Sequence, residues 1–274
     1  MTSRYLEQPR PRLFGHRGAS AHYPENTLPA FRASIEAGVP YLELDVWATR
    51  DGIVVAHHDE TLQRLCGDPR RISDVTLTEL KALDAGFGFS LDGSHRPSFG
   101  QGITIPTLDE VFKAFPTVFY NIEIKQESPA IEKAVLAVIE TAGISDRVLL
   151  AAEQDAIMQR LRPLCGAIPT SFSFGELAAF FAWLQAGCRG DYRPPGVALQ
   201  IPESWNGTPL VTAETVRAAH ALGLEIHVWT VNETPDMERL LGLGVDGLMS
   251  DYPERLVEAV KRMRDAERGT RDAN

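Results

Sequence analysis

The chain has 274 residues, 44% apolar and 23% charged, a globular make-up that excludes disordered, collagen-like and disulfide-scaffold classes. Its 27 basic and 37 acidic side chains give a formal charge of −10, which repels nucleic acid and anionic lipid and makes neither an expected partner. The opening MTSRYLEQPRPR lacks the apolar stretch of a secretory leader, no run reaches the roughly 18 apolar residues of a membrane span, and Cys66, Cys165 and Cys188 are too scattered for a disulfide framework or zinc site. The default expectation is a cytoplasmic protein without stable membrane association, whose cysteines are packing residues.

β-rich apolar runs alternate with helical-period segments, the order that produces parallel strands joined by helical crossovers. Strands are expected over residues 12–17, 41–47, 53–58, 117–124, 147–152, 168–173, 197–201, 225–231 and 245–250. The third run follows the second too closely for a parallel crossover, so it returns antiparallel through a two-residue turn at Asp51-Gly52. Helices are expected over 28–37, 108–115, 130–142, 156–164, 176–185, 214–222 and 237–243. With eight parallel strands left, the simplest α/β closure is a (β/α)8 TIM barrel; an open doubly wound sheet would want a Gly-x-Gly-x-x-Gly turn after its first strand, which this sequence lacks. Residues 60–106, rich in Gly, Asp, Ser and Arg with one helical piece over 77–83, form an expected insertion subdomain after the hairpin that follows strand 2. The whole chain, 1–274, is then one catalytic domain with its core over 12–257 and a frayed polar tail over 262–274.

Barrel chemistry sits at the C-terminal ends of the strands. There the first strand ends Gly15-His16-Arg17-Gly18, the second carries Glu43-Leu44-Asp45, and the fourth run carries Glu123-Ile124-Lys125. Strand side chains alternate, so Glu43 and Asp45 share a face, as do Glu123 and Lys125. Three inward carboxylates need a cation, and an all-oxygen set suits one divalent ion, Mg²⁺, Ca²⁺ or Mn²⁺, rather than zinc or copper. The hairpin turn would set Asp45 opposite His58, with Cβ atoms about 5 Å apart. His16 and His58 beside that cation, with Arg17 and Lys125 as fixed positive charges, make a constellation for acid/base chemistry on a bound anion, and a phosphate ester fits best. His57 points to the other face and is expected to be structural. Glu25 and Asn26 are expected to cap the first barrel helix, and Asp251 to be a loop or cap residue outside the site.

The set His16-Arg17-Gly18, Pro24-Glu25-Asn26-Thr27, Glu43-Leu44-Asp45-Val46, Val54-Val55-Ala56-His57-His58-Asp59, Asn121-Ile122-Glu123-Ile124-Lys125 and Val228-Trp229-Thr230-Val231-Asn232 resembles the glycerophosphodiester phosphodiesterase family, in order, over residues 12–257. The resemblance implies a TIM barrel with a small insertion and hydrolysis of glycerophosphodiesters to sn-glycerol 3-phosphate and an alcohol. By position it implies His16 and His58 as the acid/base pair, Glu43, Asp45 and Glu123 as metal ligands, and Arg17 and Lys125 as phosphate contacts. It places Trp229 in the glycerol or alcohol pocket. Relatives often use the neighbouring glycerol hydroxyl as internal nucleophile through a cyclic phosphate. The sequence departs from the family at Ala151-Ala152-Glu153-Gln154, where a Ser-Phe pair is common, and at Gln200-Ile201-Pro202-Glu203, a variable segment; both face the leaving group, so Gln200 is a further substrate-contact candidate.

The most apolar segment, 172–184, reads as a core-facing helix. Were Phe180, Phe181 and Trp183 exposed, an acyl chain could lie on them, which keeps a lysophospholipase D releasing lysophosphatidate as the alternative activity. A non-catalytic phosphodiester-binding barrel is the alternative from outside enzymology.

Overall fold

The computed structural model describes residues 3–272. Its strands are β1 (Arg12–His16), β2 (Tyr41–Ala48), β3 (Val54–Ala56), β4 (Phe119–Ile124), β5 (Val148–Ala151), β6 (Ala198–Pro202), β7 (Ser204–Trp205), β8 (Thr208–Pro209), β9 (Glu225–Trp229) and β10 (Gly247–Ser250). The main sheet runs β5-β4-β2-β1-β10-β9-β6, with parallel neighbours throughout and β3 hairpinned onto β2. Bridges Leu150↔Thr170 and Ser171↔Ala198 set the segment around Thr170 between β5 and β6, which makes the eighth stave and closes the ring. This stave, expected as a strand over 168–173, is reduced to those bridges. Pro169 has no N–H to give a ladder, and Ser173 already caps the next helix.

A helix follows each stave: Leu28–Glu36, Leu108–Ala114, Glu132–Ala142, Asp155–Leu161, Phe174–Gln185, Ala213–Ala221, Thr234–Gly242 and Pro253–Asp272. The last lies outside the helices expected from the sequence and runs on through residues 262–272 of the tail expected to fray. Leu256, Ala259, Val260 and Met263 give it an apolar stripe against the barrel, and Arg262 pairs with Glu258 one turn back. Residues 273 and 274 of that expected tail lie outside the described residues. Cys165 is buried and Cys66 half-buried, but Cys188 is exposed just beyond the Phe174–Gln185 helix, so not all three cysteines pack.

Leu42, Leu44 and Val46 of β2 face outward into the layer between sheet and helices. The inward residues of the same strand divide by height. Tyr41 joins Phe14, Phe119 and Met249 in an apolar floor, closed from below by Tyr5 on the short Arg4–Glu7 helix, while Glu43 and Asp45 lie above it. The insertion has its own small core of Leu62, Leu65, Ile72, Val75, Leu80 and Ile105 packed on Val55.

The hairpin corrects one expected register. Val46 pairs with Ala56, Trp47 with Val55 and Ala48 with Val54, and the Thr49 N–H donates to the Ile53 carbonyl at 3.0 Å. The loop therefore holds three residues, Arg50-Asp51-Gly52, with Gly52 at φ 80°, the position such a loop reserves for a left-handed residue. This one-residue slip sets His57, not His58, opposite Asp45, the His57 N–H donating to the Asp45 carbonyl at 2.9 Å.

Candidate active site

His16 is the last residue of β1, with Glu43 of β2 as its lateral partner, and Asp45 lies beside Glu123 of β4 in the next ladder. Parallel register thus gathers residues far apart in sequence at one height. Carboxylate oxygens of Glu43, Asp45 and Glu123 lie within 4.8 Å of one another, the first two residues buried. Two cations face them. Lys125 Nζ is 2.7 Å from Glu123 Oε1 and 3.4 Å from Asp45 Oδ1, and Arg17 Nε is 3.1 Å from Asp45 Oδ2. The Arg17 N–H also donates to Glu43 Oε2 at 3.0 Å.

Burial, together with the neighbouring Asp45 charge, holds the Glu43 carboxyl well above the ordinary carboxylate range. Burial raises Glu123 too, and Asp45 adds to it, against the pull of Lys125. Asp45 goes the other way: burial opposes its charge, but Lys125, Arg17 and His58 outweigh it. Three carboxylates, two of them on buried residues, face two cations, and since Glu43 and Glu123 resist ionisation a further positive charge relieves the set. Their all-oxygen donors fit a hard divalent ion.

The two imidazoles are each oriented by an aspartate. His16 Nδ1 is 2.7 Å from Asp251 Oδ1, and Asp251 also takes contacts from Ser20 Oγ and Asn232 Nδ2, each at 2.7 Å. Burial disfavours charge on His16, but the Asp251 hydrogen bond and the Glu43 charge outweigh it and raise its proton affinity. His58 lies beyond the end of β3, with Nδ1 2.7 Å from Asp59 Oδ1, and Arg64 ties Asp59 to Glu25 with contacts of 2.7 and 2.6 Å. With each Nδ1 engaged, Nε2 of both rings has no partner among the described residues.

His16, Arg17, Glu43, His58, Glu123, Lys125, Gln200 and Trp229 all line one cavity of about 340 Å³, and Asp45 lies buried behind its wall. Its other side is apolar, built by Phe172, Phe174, Leu177, Phe181, Trp205 and Leu210. The rim considered in the sequence is redistributed. Phe180 is buried and Trp183 stacks on Tyr192, whereas Phe174 and Trp205, 60% and 51% exposed, meet edge to face at 6.1 Å. Trp205 is carried by the β7–β8 hairpin.

Several site residues escaped the sequence reading. Asp251 was placed outside the site, although it follows β10 at the chemical end of the barrel. Asn26 and Glu25 were read as helix caps, but the N-cap is Thr27. Asn26, at φ 56°, donates from Nδ2 to Asp45 Oδ2 at 3.0 Å and accepts the Asp45 N–H at 3.3 Å, and Glu25 pairs with Arg17 at 3.1 Å. His57, expected as structural, is buried and bonds the Thr61 carbonyl at 3.1 Å. Gly18 lets the strand end turn at once: it sits at φ 86°, and a Cβ there would come within 2.5 Å of the Ala30 backbone.

Residues 16–255 match the family model described as glycerophosphoryl diester phosphodiesterase family. A glycerophosphodiester phosphodiesterase of Caldanaerobacter subterraneus subsp. tengcongensis is 31% identical over 91% of this chain and 98% of its own. A human lysophospholipase D is 28% identical over 88% of this chain and 83% of its own. An Oleispira antarctica phosphodiesterase, solved in complex with the product sn-glycerol-3-phosphate, superimposes with a TM-score of 0.76 at 26% identity, covering 92% of this chain and 97% of that one.

Proposed function

The chain belongs to the glycerophosphoryl diester phosphodiesterase family, a family of hydrolases, and from that premise we propose that it hydrolyses glycerophosphodiesters to sn-glycerol 3-phosphate and an alcohol, with His16 and His58 moving the protons. One observation carries this reading: two aspartate-oriented imidazoles share a cavity with a buried three-carboxylate cluster and two fixed cations. Glu43, Asp45 and Glu123 would hold one divalent ion, whose chemistry there would be to offset negative charge on the phosphoryl oxygens. Arg17 and Lys125 hold the phosphate in register and share its developing charge. A neutral imidazole takes at Nε2 the proton of the attacking hydroxyl, which belongs either to water or to the neighbouring glycerol carbon; in the second case the cyclic phosphate formed is opened by water in a second, equivalent step. The other imidazole, protonated, gives its Nε2 proton to the departing alkoxide as the P–O bond breaks, and Asp251 and Asp59 stabilise whichever ring carries charge. On this reading the whole chain acts as a single catalytic domain on a small-molecule diester.

The apolar wall of Phe174, Leu177, Phe181 and Trp205 favours a second reading, lysophospholipase D action on acylated diesters, as the name of the human relative suggests. Phosphorus NMR of products from glycerophosphocholine and lysophosphatidylcholine, with Mg²⁺, Ca²⁺ or Mn²⁺ supplied in turn, tests both. Glycerol 3-phosphate from the first substrate is the expected product. Lysophosphatidate from the second at a higher kcat/KM would move the assignment, and turnover of neither would overturn it.

A further inference from the structure

Below the acidic cluster, the cavity wall contains a row of hydrogen bonds whose direction is determined at the opposite end of the barrel. Arg12 is fully buried, and its Nε and Nη2 each donate to a carboxylate oxygen of Glu225 at 2.6 Å, so Glu225 is ionised and can only accept. Burial opposes its charge, but the bonds from Arg12 and His227 hold its carboxyl far below the ordinary range. His227 Nε2, 2.9 Å from Glu225 Oε2, therefore donates to it, which turns Nδ1 towards Gln200. Gln200 Nε2 lies 3.3 Å from that Nδ1 and 2.6 Å from Asn121 Oδ1, so the amide spends both its hydrogens on the protein. This orders two amides that otherwise flip freely. Gln200 Oε1 and Asn121 Nδ2 are left without a partner among the described residues, and both side chains line the cavity.

We propose that Gln200 and Asn121 form a hydroxyl-reading subsite, and that the buried chain Arg12–Glu225–His227 holds the Gln200 amide in place within it. An acceptor and a donor side by side are both satisfied by a group that donates and accepts at once, and an alcohol hydroxyl does so. Asn121 lies on the same face of β4 as Glu123, one side-chain layer deeper, and is the lateral partner of Glu43. A phosphate held at Arg17 and Lys125 therefore sends its hydroxyl-bearing chain down towards the floor, which puts Gln200 on that arm and not on the leaving-group side expected from the sequence, and the apolar wall is left to the other ester arm. The inference rests on the proposed function for the phosphate's position. It adds that His227, which is buried beneath the cavity wall, is a positioning residue.

Calorimetric binding of sn-glycerol 3-phosphate, propyl phosphate and inorganic phosphate, with Mg²⁺, Ca²⁺ or Mn²⁺ supplied separately, tests it without turnover. The wild-type chain should prefer glycerol 3-phosphate to propyl phosphate. Gln200→Met should cut that preference by about three- to tenfold, the worth of one neutral hydrogen bond, with inorganic phosphate affinity unchanged. His227→Leu, checked for folding by its melt, should cut it too by removing the 3.3 Å contact that holds the Gln200 side chain in line. Equal binding of the two esters by the wild type, or an undiminished preference in Gln200→Met, would overturn the subsite. A protein that shows the preference but releases no glycerol 3-phosphate from glycerophosphocholine contradicts the proposed function and supports the subsite.

Discussion

Asp251 joins the barrel's last strand to its first through His16, and its charge has a measurable pH signature. Burial works against its ionisation, yet the His16, Ser20 and Asn232 contacts bring it down to about 2, below the ordinary 3.8. A carboxyl depressed on folding contributes stability that is present above its unfolded value and lost as pH falls towards its folded one. His16 is raised from 6.5, so its share is present below that value and fades as pH climbs through its folded one. Thermal melts of Asp251→Asn should therefore show a deficit against wild type at pH 5 to 6 that shrinks between about pH 4 and 2 and again as pH rises above 6.5 through the raised His16 value. A deficit independent of pH would mean that packing alone is lost. At the same scale, His58→Ala should keep cation binding and lose about 10²- to 10⁴-fold in kcat, the worth of one positioned acid or base, as steady-state kinetics beside cation titration will show. The common height of His16 and the three carboxylates was legible because strand alternation and barrel geometry fix where such residues point, whereas His58 comes to the cavity from beyond the ladder and not by the expected pairing. Asp251 and Asn26 were not legible, since a lone Asp after a strand or Asn before a helix has the same text in any cap.

The β2–β3 hairpin marks where legibility at the element level stops. Asp51-Gly52 is compatible with a two-residue or a three-residue loop, and only the Thr49–Ile53 bond decides between them. His58 nevertheless reaches the cavity, because β3 ends at Ala56 and the chain leaves the ladder. The β7–β8 hairpin carries the Asn-Gly turn signature at Asn206-Gly207, both at positive φ, 49° and 79°, but strands of two residues each are too short for an alternating pattern to show. That hairpin has a testable use. Trp205→Ala removes an exposed ring and should alter stability by no more than about 0.5 kcal/mol. If the apolar wall receives an acyl or other apolar arm, the same change should lower kcat/KM for lysophosphatidylcholine more than for glycerophosphocholine; equal effects would remove the wall from specificity.

At the scale of the whole molecule, barrel closure brings together what no local pattern contains. Arg12 and Glu225, 213 residues apart, meet because β10, the last strand, pairs with β1 on one side and β9 on the other. The alternation of strand and helix made the ring legible in advance, whereas the pairings across it depend on register. The acidic cluster couples the fold to its ligand. Glu43 has a carboxyl raised by burial and by Asp45, so without a cation its ionisation costs stability as pH rises beyond its ordinary 4.5. A divalent ion that binds only the folded chain should raise the melting temperature at pH 8 in a concentration-dependent way. Glu43→Gln should melt higher than the metal-free wild type at that pH and lose the cation response. No helix among the described residues is long and apolar enough to cross a membrane. The most direct test is glycerol 3-phosphate release from glycerophosphocholine by metal-stripped protein as a divalent cation is titrated in, for the wild type and Asp45→Asn. We expect no release without cation, a saturable rise with it, and none at any concentration in the variant; release undiminished by chelator, or retained in Asp45→Asn, would contradict a catalytic centre built on the three carboxylates.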